Sequence, residues 1–314
     1  MNSLQGGGVF ETPGDGLTFG VVGSGKLGIA FITALLKQKS LGWVLCRTEE
    51  TAIQIAERFD WNVPAVADIE HISDVPDVIL IVVPDKSIVL TANLLAEHWG
   101  EYLAGKVVIH CSGALGREVL EICEKQGAVT LAAHPFQTFA TGSDVAFRGI
   151  VWGVECSDDC RDIAENIIRR FGGSSVFLSN FTRNFRGLYH AAAVCASNFI
   201  VAVVTSAKDI ATAAGIDAEE FLLPIITTAT ENALQAAENE SVPLTGPIVR
   251  GDIETIERHI EQFAEVAPDI GFEYALMARA TAESARRRGL ISTEQYSPMR
   301  ELLDEAIAAF RPGE

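Results

Sequence analysis

The stretch that most constrains what this chain can fold into is residues 17–28, LTFGVVGSGKLG. An apolar, β-prone run (Leu17, Phe19, Val21, Val22) breaks into Gly23, Ser24, Gly25, Lys26, Leu27 and Gly28, and a helix-forming run, residues 29–38, follows at once. Strand, tight glycine turn and helix in that order open a βαβ unit. In such a turn the first glycine lets the chain reverse, the second lets backbone approach a pyrophosphate, and the third lets the helix pack closely on the strand. The helix N-terminus then aims unpaired N–H groups and its positive dipole end at phosphate oxygens. A glycine pattern alone is weak, but one set between such a strand and such a helix points to a dinucleotide held by Gly23, Ser24, Gly25, Lys26, Leu27 and Gly28.

The next strand, residues 43–46, bears on which dinucleotide. It ends in Arg47 and Thr48 rather than in Asp or Glu. An acid at that place would hydrogen-bond the adenosine ribose of NAD, whereas an arginine with a hydroxyl neighbour suits the extra phosphate of NADP. NADP is therefore expected over NAD, with a solvated strand end as the plain alternative for Arg47. Residues 77–83, DVILIVV, read as a buried parallel strand stopping at Pro84. Its end faces the crevice where ligands of doubly wound sheets lie, which brings Val83, Pro84 and Asp85 near the cofactor ribose.

Two further strands, 106–110 and 128–133, run into Ser112 and His134. A hydroxyl and an imidazole at that edge can hold or polarise a carbonyl oxygen beside a hydride donor. An ordinary loop hydroxyl and a turn histidine before a proline are the plain readings. His110, inside its strand, reads as a packed core histidine. Strands at 150–154 and 175–178 flank an amphipathic helix, 159–171, and extend the same sheet.

Charge and cysteine usage narrow the partners. With 24 basic against 42 acidic residues the net charge is −18, which argues against nucleic acid and anionic membrane as partners. The six cysteines include no CxxC pair, and Cys46, Cys111 and Cys195 lie in apolar runs expected to be buried; reduced thiols in a cytoplasmic protein fit best. Cys156 and Cys160 have no neighbouring Cys/His pair, so no metal site is expected. Residues 1–16 have neither a basic start nor an apolar core, and read as a mobile tail rather than a signal peptide.

From about residue 180 onward only helical periods remain, which predicts a dinucleotide-binding domain over 17–180 and a helical domain over 181–314. The second opens with residues 183–214, which would span roughly 48 Å as one helix. The stretch 188–207 is apolar enough to cross a membrane, but His190, Ser197 and Asn198 would make that costly. The simpler reading is a long central helix buried on all sides, with a polar stripe of Arg186, His190 and Asn198. Asp217 and Glu220 suit the start of a helix over 217–239. A glycine and proline loop, 243–252, presents Thr245 and Arg250, and Asp252 caps the helix carrying Thr255 and His259. Arg250 is a candidate for binding a substrate carboxylate, with a structural ion pair as the alternative. Helices over 269–288 and 293–309 finish the chain.

Taken together, VVGSGKLG, CRT, HCSGALG, HPFQTF, VWGVE, LYHAAAVCASNF and LTGPIVRGDIETIERH resemble the bacterial Rossmann-like oxidoreductases that carry a C-terminal helical domain of unknown function. These sit in the 6-phosphogluconate dehydrogenase-like superfamily, beside ketopantoate reductase, pyrroline-5-carboxylate reductase and prephenate dehydrogenase. The resemblance implies a doubly wound, mostly parallel sheet followed by an all-helical domain, an NADP-linked reductase, and a homodimer formed through the helical domain. In prephenate dehydrogenases a serine after one strand and a histidine in an HP turn contact substrate, and Ser112 and His134 occupy similar places. In the hydroxyacid branch the central helix carries Lys-x-x-x-Asn with lysine as general acid; Arg186 and His190 stand at that spacing. Arginine does not give up its proton at working pH, so proton delivery falls to His190 or His134.

The resulting expectation is an NADP-dependent reductase passing hydride to a small carbonyl or imine, carboxylate-bearing, with a ketopantoate-like 2-keto acid as first candidate. His190 or His134 would supply the proton, Ser112 and Asn198 would orient the reacting group, and Arg186 or Arg250 would hold the acid. The alternatives are a prephenate- or arogenate-like dehydrogenase and a non-catalytic NADP(H)-binding sensor.

Overall fold

A computed structural model describes residues 16–139, 147–178, 185–238 and 242–312. The expected tail, apart from Gly16, the expected boundary at 180 and the expected helix start at Arg183 lie outside the described residues. The chain divides into two compact units, Met1–Cys195 and Ala196–Glu314.

The first unit is built on one eight-stranded sheet. Its strands are β1 (Phe19–Val22), β2 (Leu41–Leu45), β3 (Ala65–Val66), β4 (Val78–Ile81), β5 (Val107–His110), β6 (Val129–Pro135), β7 (Val151–Glu155) and β8 (Ser174–Phe177). The spatial order is β3-β2-β1-β4-β5-β6-β7-β8. Every neighbouring pair is parallel except β6 and β7. The helices of this unit are α1 (Lys26–Lys37), α2 (Glu49–Arg58), α3 (Asp85–Trp99), α4 (Glu121–Lys125), α5 (Arg161–Arg170) and α6 (Phe185–Ala196).

The period-two alternation of a strand explains why both faces are covered. Phe19, Val21, Val44, Val78, Leu80, Val107 and Ile109 point into one core with Phe31 and Leu35 of α1 and Ile163 and Ile167 of α5. Val22, Trp43, Leu45, Ile79, Ile81 and Val108 point into the other, with Ile88, Leu95 and Trp99 of α3. On the first face Phe31 stacks on Phe147 at 4.5 Å and meets Phe171 edge-on at 5.2 Å. The chain leaves β1 toward β2 on one side and returns to β4 on the other, so the strand order reverses between β1 and β4. In open α/β sheets that reversal opens the ligand crevice at the carboxyl ends of the strands.

The second unit is helical throughout its described residues: α7 (Asn198–Ala213), α8 (Ala218–Glu238), α9 (Pro247–Arg250), α10 (Ile253–Val266), α11 (Pro268–Arg287) and α12 (Thr293–Ala309). Small residues of α11 (Ala278, Ala282, Ala285) let it close on Tyr296, Met299 and Leu303 of α12, with Ile256 of α10 completing the core. Ser292 and Gln295 form a reciprocal capping box at the start of α12. Asp217 accepts the N–H groups of Glu219 and Glu220, and Asp252 that of Thr255, as expected for helix caps.

Four expectations are corrected. The long helix is interrupted at Ser197 (φ −131°, ψ −73°), where the apolar run carries no signal for a break. It is also not buried: no residue in the most apolar window of Phe185–Ala213 is fully buried. In α7 it is the small Ser206 and Ala211 that are buried, while Phe199, Ile200, Val201 and Val203 are exposed. Cys195 is exposed, in contrast to Cys46 and Cys111, which are buried. The 243–252 loop contains one helical turn, α9, started by Pro247 and stopped by Gly251 in the left-handed conformation (φ 68°).

Candidate functional site

The glycine turn between β1 and α1 is shaped by close approach at two positions and by openness at a third. Gly23 adopts φ 108°, and a methyl group there would lie 2.8 Å from the Val82 carbonyl oxygen. A methyl group at Gly28 would lie 2.3 Å from the Gly23 carbonyl oxygen, so the helix sits against the turn at a distance no other residue permits. Around Gly25 a methyl group would meet nothing within 4 Å. Gly25 is the N-cap of α1, no side chain caps that end, and its first turn holds no acid. The opening N–H groups of α1 therefore have no carboxylate in their own turn to compete for them and open space at Gly25, which is what a pyrophosphate needs. The Gly23 N–H donates to the Leu45 carbonyl, tying the turn to β2. Lys26 is exposed and Leu27 packs onto the first core. The Ser24 hydroxyl lies beside the Cys46 thiol, whose pKa is raised by burial against that bond.

Arg47 follows β2 and is exposed. The Thr48 hydroxyl caps α2, accepting the Thr51 N–H at 3.2 Å, and lies 2.9 Å from the Thr51 hydroxyl. Beyond β4, Val83 packs on the second core, Pro84 is the N-cap of α3, and Asp85 is exposed in its first turn. The Asp85 charge is felt at both His110 and His134, raising their pKa against the effect of burial.

Ser112 is buried, and its hydroxyl oxygen accepts N–H bonds from Ala114 and Leu115, each at 3.1 Å. That is a serine turn, so both acceptor positions serve the loop and the O–H remains to donate. His110 pins the same loop from beneath. Its Nδ1 accepts the Ser112 N–H at 3.2 Å, so Nε2 carries the hydrogen and donates to the Gly116 carbonyl at 2.9 Å. Burial pushes the His110 pKa down, in keeping with a neutral core imidazole.

The loop after β5 meets two histidines. A methyl group at Gly113 would lie 2.8 Å from His190 Nδ1 and 3.0 Å from His134 Cε1. Glycine at 113 is thus what lets the His134 and His190 rings, 6.0 Å apart at their centres, share this corner. His134 Nδ1 is hydrogen-bonded at 3.0 Å to the Tyr189 hydroxyl. Burial, followed by the neighbouring His190, drives the His134 pKa down to about 4, so this ring is neutral near pH 7. Burial raises the Tyr189 pKa to about 12, and the phenol keeps its proton.

Arg186, one turn before His190 on α6, is ion-paired with Glu155 at the end of β7. The other Glu155 oxygen accepts the Arg117 N–H at 3.2 Å. Arg186 is therefore committed to a protein carboxylate. Asn198 opens α7 in the second unit and accepts the Ser197 hydroxyl at 2.9 Å. Arg250, also in the second unit, reaches Asp252 at 3.5 Å and is 64% exposed. Among the described residues no three His, Cys, Asp or Glu side chains gather as a metal site. Nothing in the local pattern singles out Tyr189, Glu155, Gly113 or Gly153; their partners are distant in the chain.

Two family models match. Residues 11–135 match a Rossmann-like domain, and residues 150–281 match a domain of unknown function, DUF2520. No curated protein matches the sequence. Among solved structures, protein BF3122 from Bacteroides fragilis, assigned as an NADP oxidoreductase, is similar at 21% identity with a TM-score of 0.65, covering 86% of this chain and 99% of its own. Protein TM1727 from Thermotoga maritima is 25% identical with a TM-score of 0.53, covering 94% of this chain and 100% of its own. An imine reductase from Myxococcus stipitatus, solved in complex with NADP+, is 17% identical with a TM-score of 0.56, covering 93% and 94%. The chain thus joins a Rossmann-like domain to a DUF2520 domain.

Proposed function

We propose that this chain is an NADP-dependent oxidoreductase that reduces a small imine or carbonyl compound, working as a cytoplasmic homodimer. The observation that carries the reading is the pairing of two features at one sheet edge. An uncapped helix start over an open glycine sits at the end of β1. The Ser112, His134 and His190 corner sits at the ends of β5 and β6. The similar proteins that are named as NADP oxidoreductases or solved with NADP+ support it.

In this reading the N–H groups of residues 23–28 hold the pyrophosphate, and the Arg47 guanidinium takes the extra phosphate. Val83, Pro84 and Asp85 line the ribose. The bound dinucleotide supplies the hydride. Ser112 donates its remaining O–H to the reacting group, His134 offers a neutral ring N–H, and His190 delivers the proton. Because Arg186 is paired with Glu155, the reading favours imines and simple carbonyls ahead of the ketopantoate-like 2-keto acid, whose carboxylate Arg186 would have to share. The homodimer is supported by the apolar side chains left exposed on α6, α7 and α8, and the cytoplasm by six free cysteines.

The test is a fluorescence titration with NADPH and NADH, repeated on Arg47→Asp, followed by NADPH oxidation against a panel of cyclic imines, ketones with amines, and 2-keto acids. Preference for NADPH that Arg47→Asp abolishes supports the reading. Failure to bind either nucleotide overturns it, and binding without turnover across the panel replaces the enzyme by a nucleotide sensor.

A further inference from the structure

The strand register places Gly153 of β7 directly opposite His134 of β6. A methyl group at Gly153 would lie 2.3 Å from the Tyr189 hydroxyl oxygen and 2.9 Å from its ring carbon Cζ. The bare backbone of Gly153 is therefore the slot into which the phenol reaches, and the hydroxyl arrives there 3.0 Å from His134 Nδ1. The ring is fixed on its other sides. It packs at 5.1 Å on Phe136 and at 6.2 Å on Phe185, and it meets His134 edge-on at 5.6 Å. Its neighbour in the chain, His190, is brought to the same corner through Gly113.

We propose that Tyr189 is a positioning residue that donates its hydroxyl hydrogen to His134 Nδ1, fixing His134 as the neutral tautomer with its hydrogen on Nε2. The assignment rests on the function proposed above for its catalytic meaning, but not for its chemistry. Among the described residues the Tyr189 hydroxyl has one hydrogen-bond partner, His134 Nδ1. If the ring donated instead, the phenolic hydrogen would have no acceptor among the described residues, so the other direction is the one that uses both groups. The phenol holds its proton far above neutral pH and the imidazole is neutral there, so both partners are in the states this bond needs. The consequence is a division of labour. His134 offers substrate an N–H at Nε2, so of the two histidines only His190 remains to supply a full proton.

The arrangement is read directly by long-range 1H–15N NMR of the histidine rings, with His134 assigned from the signals that vanish in His134→Gln. The expected wild-type spectrum at neutral pH shows His134 with a protonated Nε2 and a bare Nδ1. Tyr189→Phe keeps the aromatic packing and removes only the donor; its His134 signals should move toward a mixture of tautomers, and the His134 titration should shift upward because the bond to the neutral ring is gone. Gly153→Ala, which fills the slot, should reproduce both changes with Tyr189 still present. A wild-type ring protonated at Nδ1 overturns the proposal whatever the variants do. So does a Tyr189→Phe protein, folded by its thermal transition, whose His134 tautomer is unchanged. Since no nucleotide or substrate is added, the NMR result stands apart from the NADPH titration, and either can fail without the other.

Discussion

The carboxylate of Glu155 on β7 holds the guanidinium of Arg186 on α6, which lies 31 residues further along the chain. This contact anchors the helix that carries Tyr189 and His190 to the sheet strand that faces His134. In the proposed function it also uses up the charge that a substrate carboxylate would otherwise meet. Arg186 is only 13% exposed at its side chain and Glu155 27%, so Glu155→Gln would leave a largely buried guanidinium short of its counter-charge. Charge-assisted hydrogen bonds of this kind contribute about 2 kcal/mol. Urea unfolding of Glu155→Gln should show a loss of that order, and Arg186→Lys a smaller one, because an ammonium keeps the charge but not the planar fork.

Gly25 and Gly28 are both fingerprint glycines, but opposite outcomes are expected on replacing them with alanine. At Gly28 the new methyl group would lie 2.3 Å from a backbone oxygen, with no flexible side chain to give way. Helix and turn must separate, and a loss of about 2 kcal/mol or more is expected in thermal or urea unfolding. At Gly25 the backbone is ordinary (φ −69°, ψ −174°) and the methyl group enters open space. Gly25→Ala should unfold as wild type does, while NADPH affinity in a fluorescence titration falls roughly tenfold or more, because the methyl group stands where the pyrophosphate must approach. Equal loss of stability in the two variants would mean that the turn serves packing alone.

What was legible in the sequence was what is local. The fingerprint shows itself because three glycines, a strand and a helix fall within some twenty residues, each with its own steric reason. The strands β1, β4 and β5 show because both their faces are buried, which demands an unbroken apolar run. β3, two residues long, has too little pattern to see. The break at Ser197 and the exposure of α7 escaped notice because an apolar run says that a surface will be covered, not by what. Tyr189 and Glu155 escaped because their partners His134 and Arg186 are 55 and 31 residues away in the chain. Ser112 was visible as a residue at the right strand end, but its use of both acceptor positions in its own turn emerges only from the loop geometry.

Acid should weaken the fold in a window set by the histidines. An unfolded histidine titrates near 6.5, whereas burial holds His134 at about 4 in the folded chain and pushes His110 down as well. Between those values the unfolded state binds more protons than the folded one, so stability rises with pH there. The contribution is fully present above about pH 6.5 and is lost progressively as pH falls toward about 4, on the order of 3 kcal/mol for His134. Urea unfolding across that window should show the decline, and His134→Gln should flatten part of it. A wild-type stability that does not change from pH about 7 to about 4.5 would mean that neither ring is held neutral by burial.

The exposed helices make the last prediction. Phe199, Val201, Phe221, Leu223 and Ile225 on α7 and α8 are all half or more exposed, Leu223 at 66%, and the run Phe185–Ala213 is long and apolar enough to cross a membrane. Exposed apolar side chains gathered on two helices that pack together mark a binding surface, since monomers seldom leave so many in water. A bilayer is the poorer cover. Asp209 and Lys208 lie within α7, and Glu219 and Glu220 open α8 beside the apolar side chains, and charges at such places are costly in lipid. A second copy of the chain can cover the apolar side chains and leave those charges at a wet rim. Light scattering on the purified protein should therefore give twice the chain mass. Leu223→Asp together with Phe199→Asp should reduce it to one, with lowered thermal stability, while the glycine turn, in the other unit, keeps its affinity for NADPH. A monomeric wild type that is extracted only with detergent would reverse the choice and give the face to a membrane.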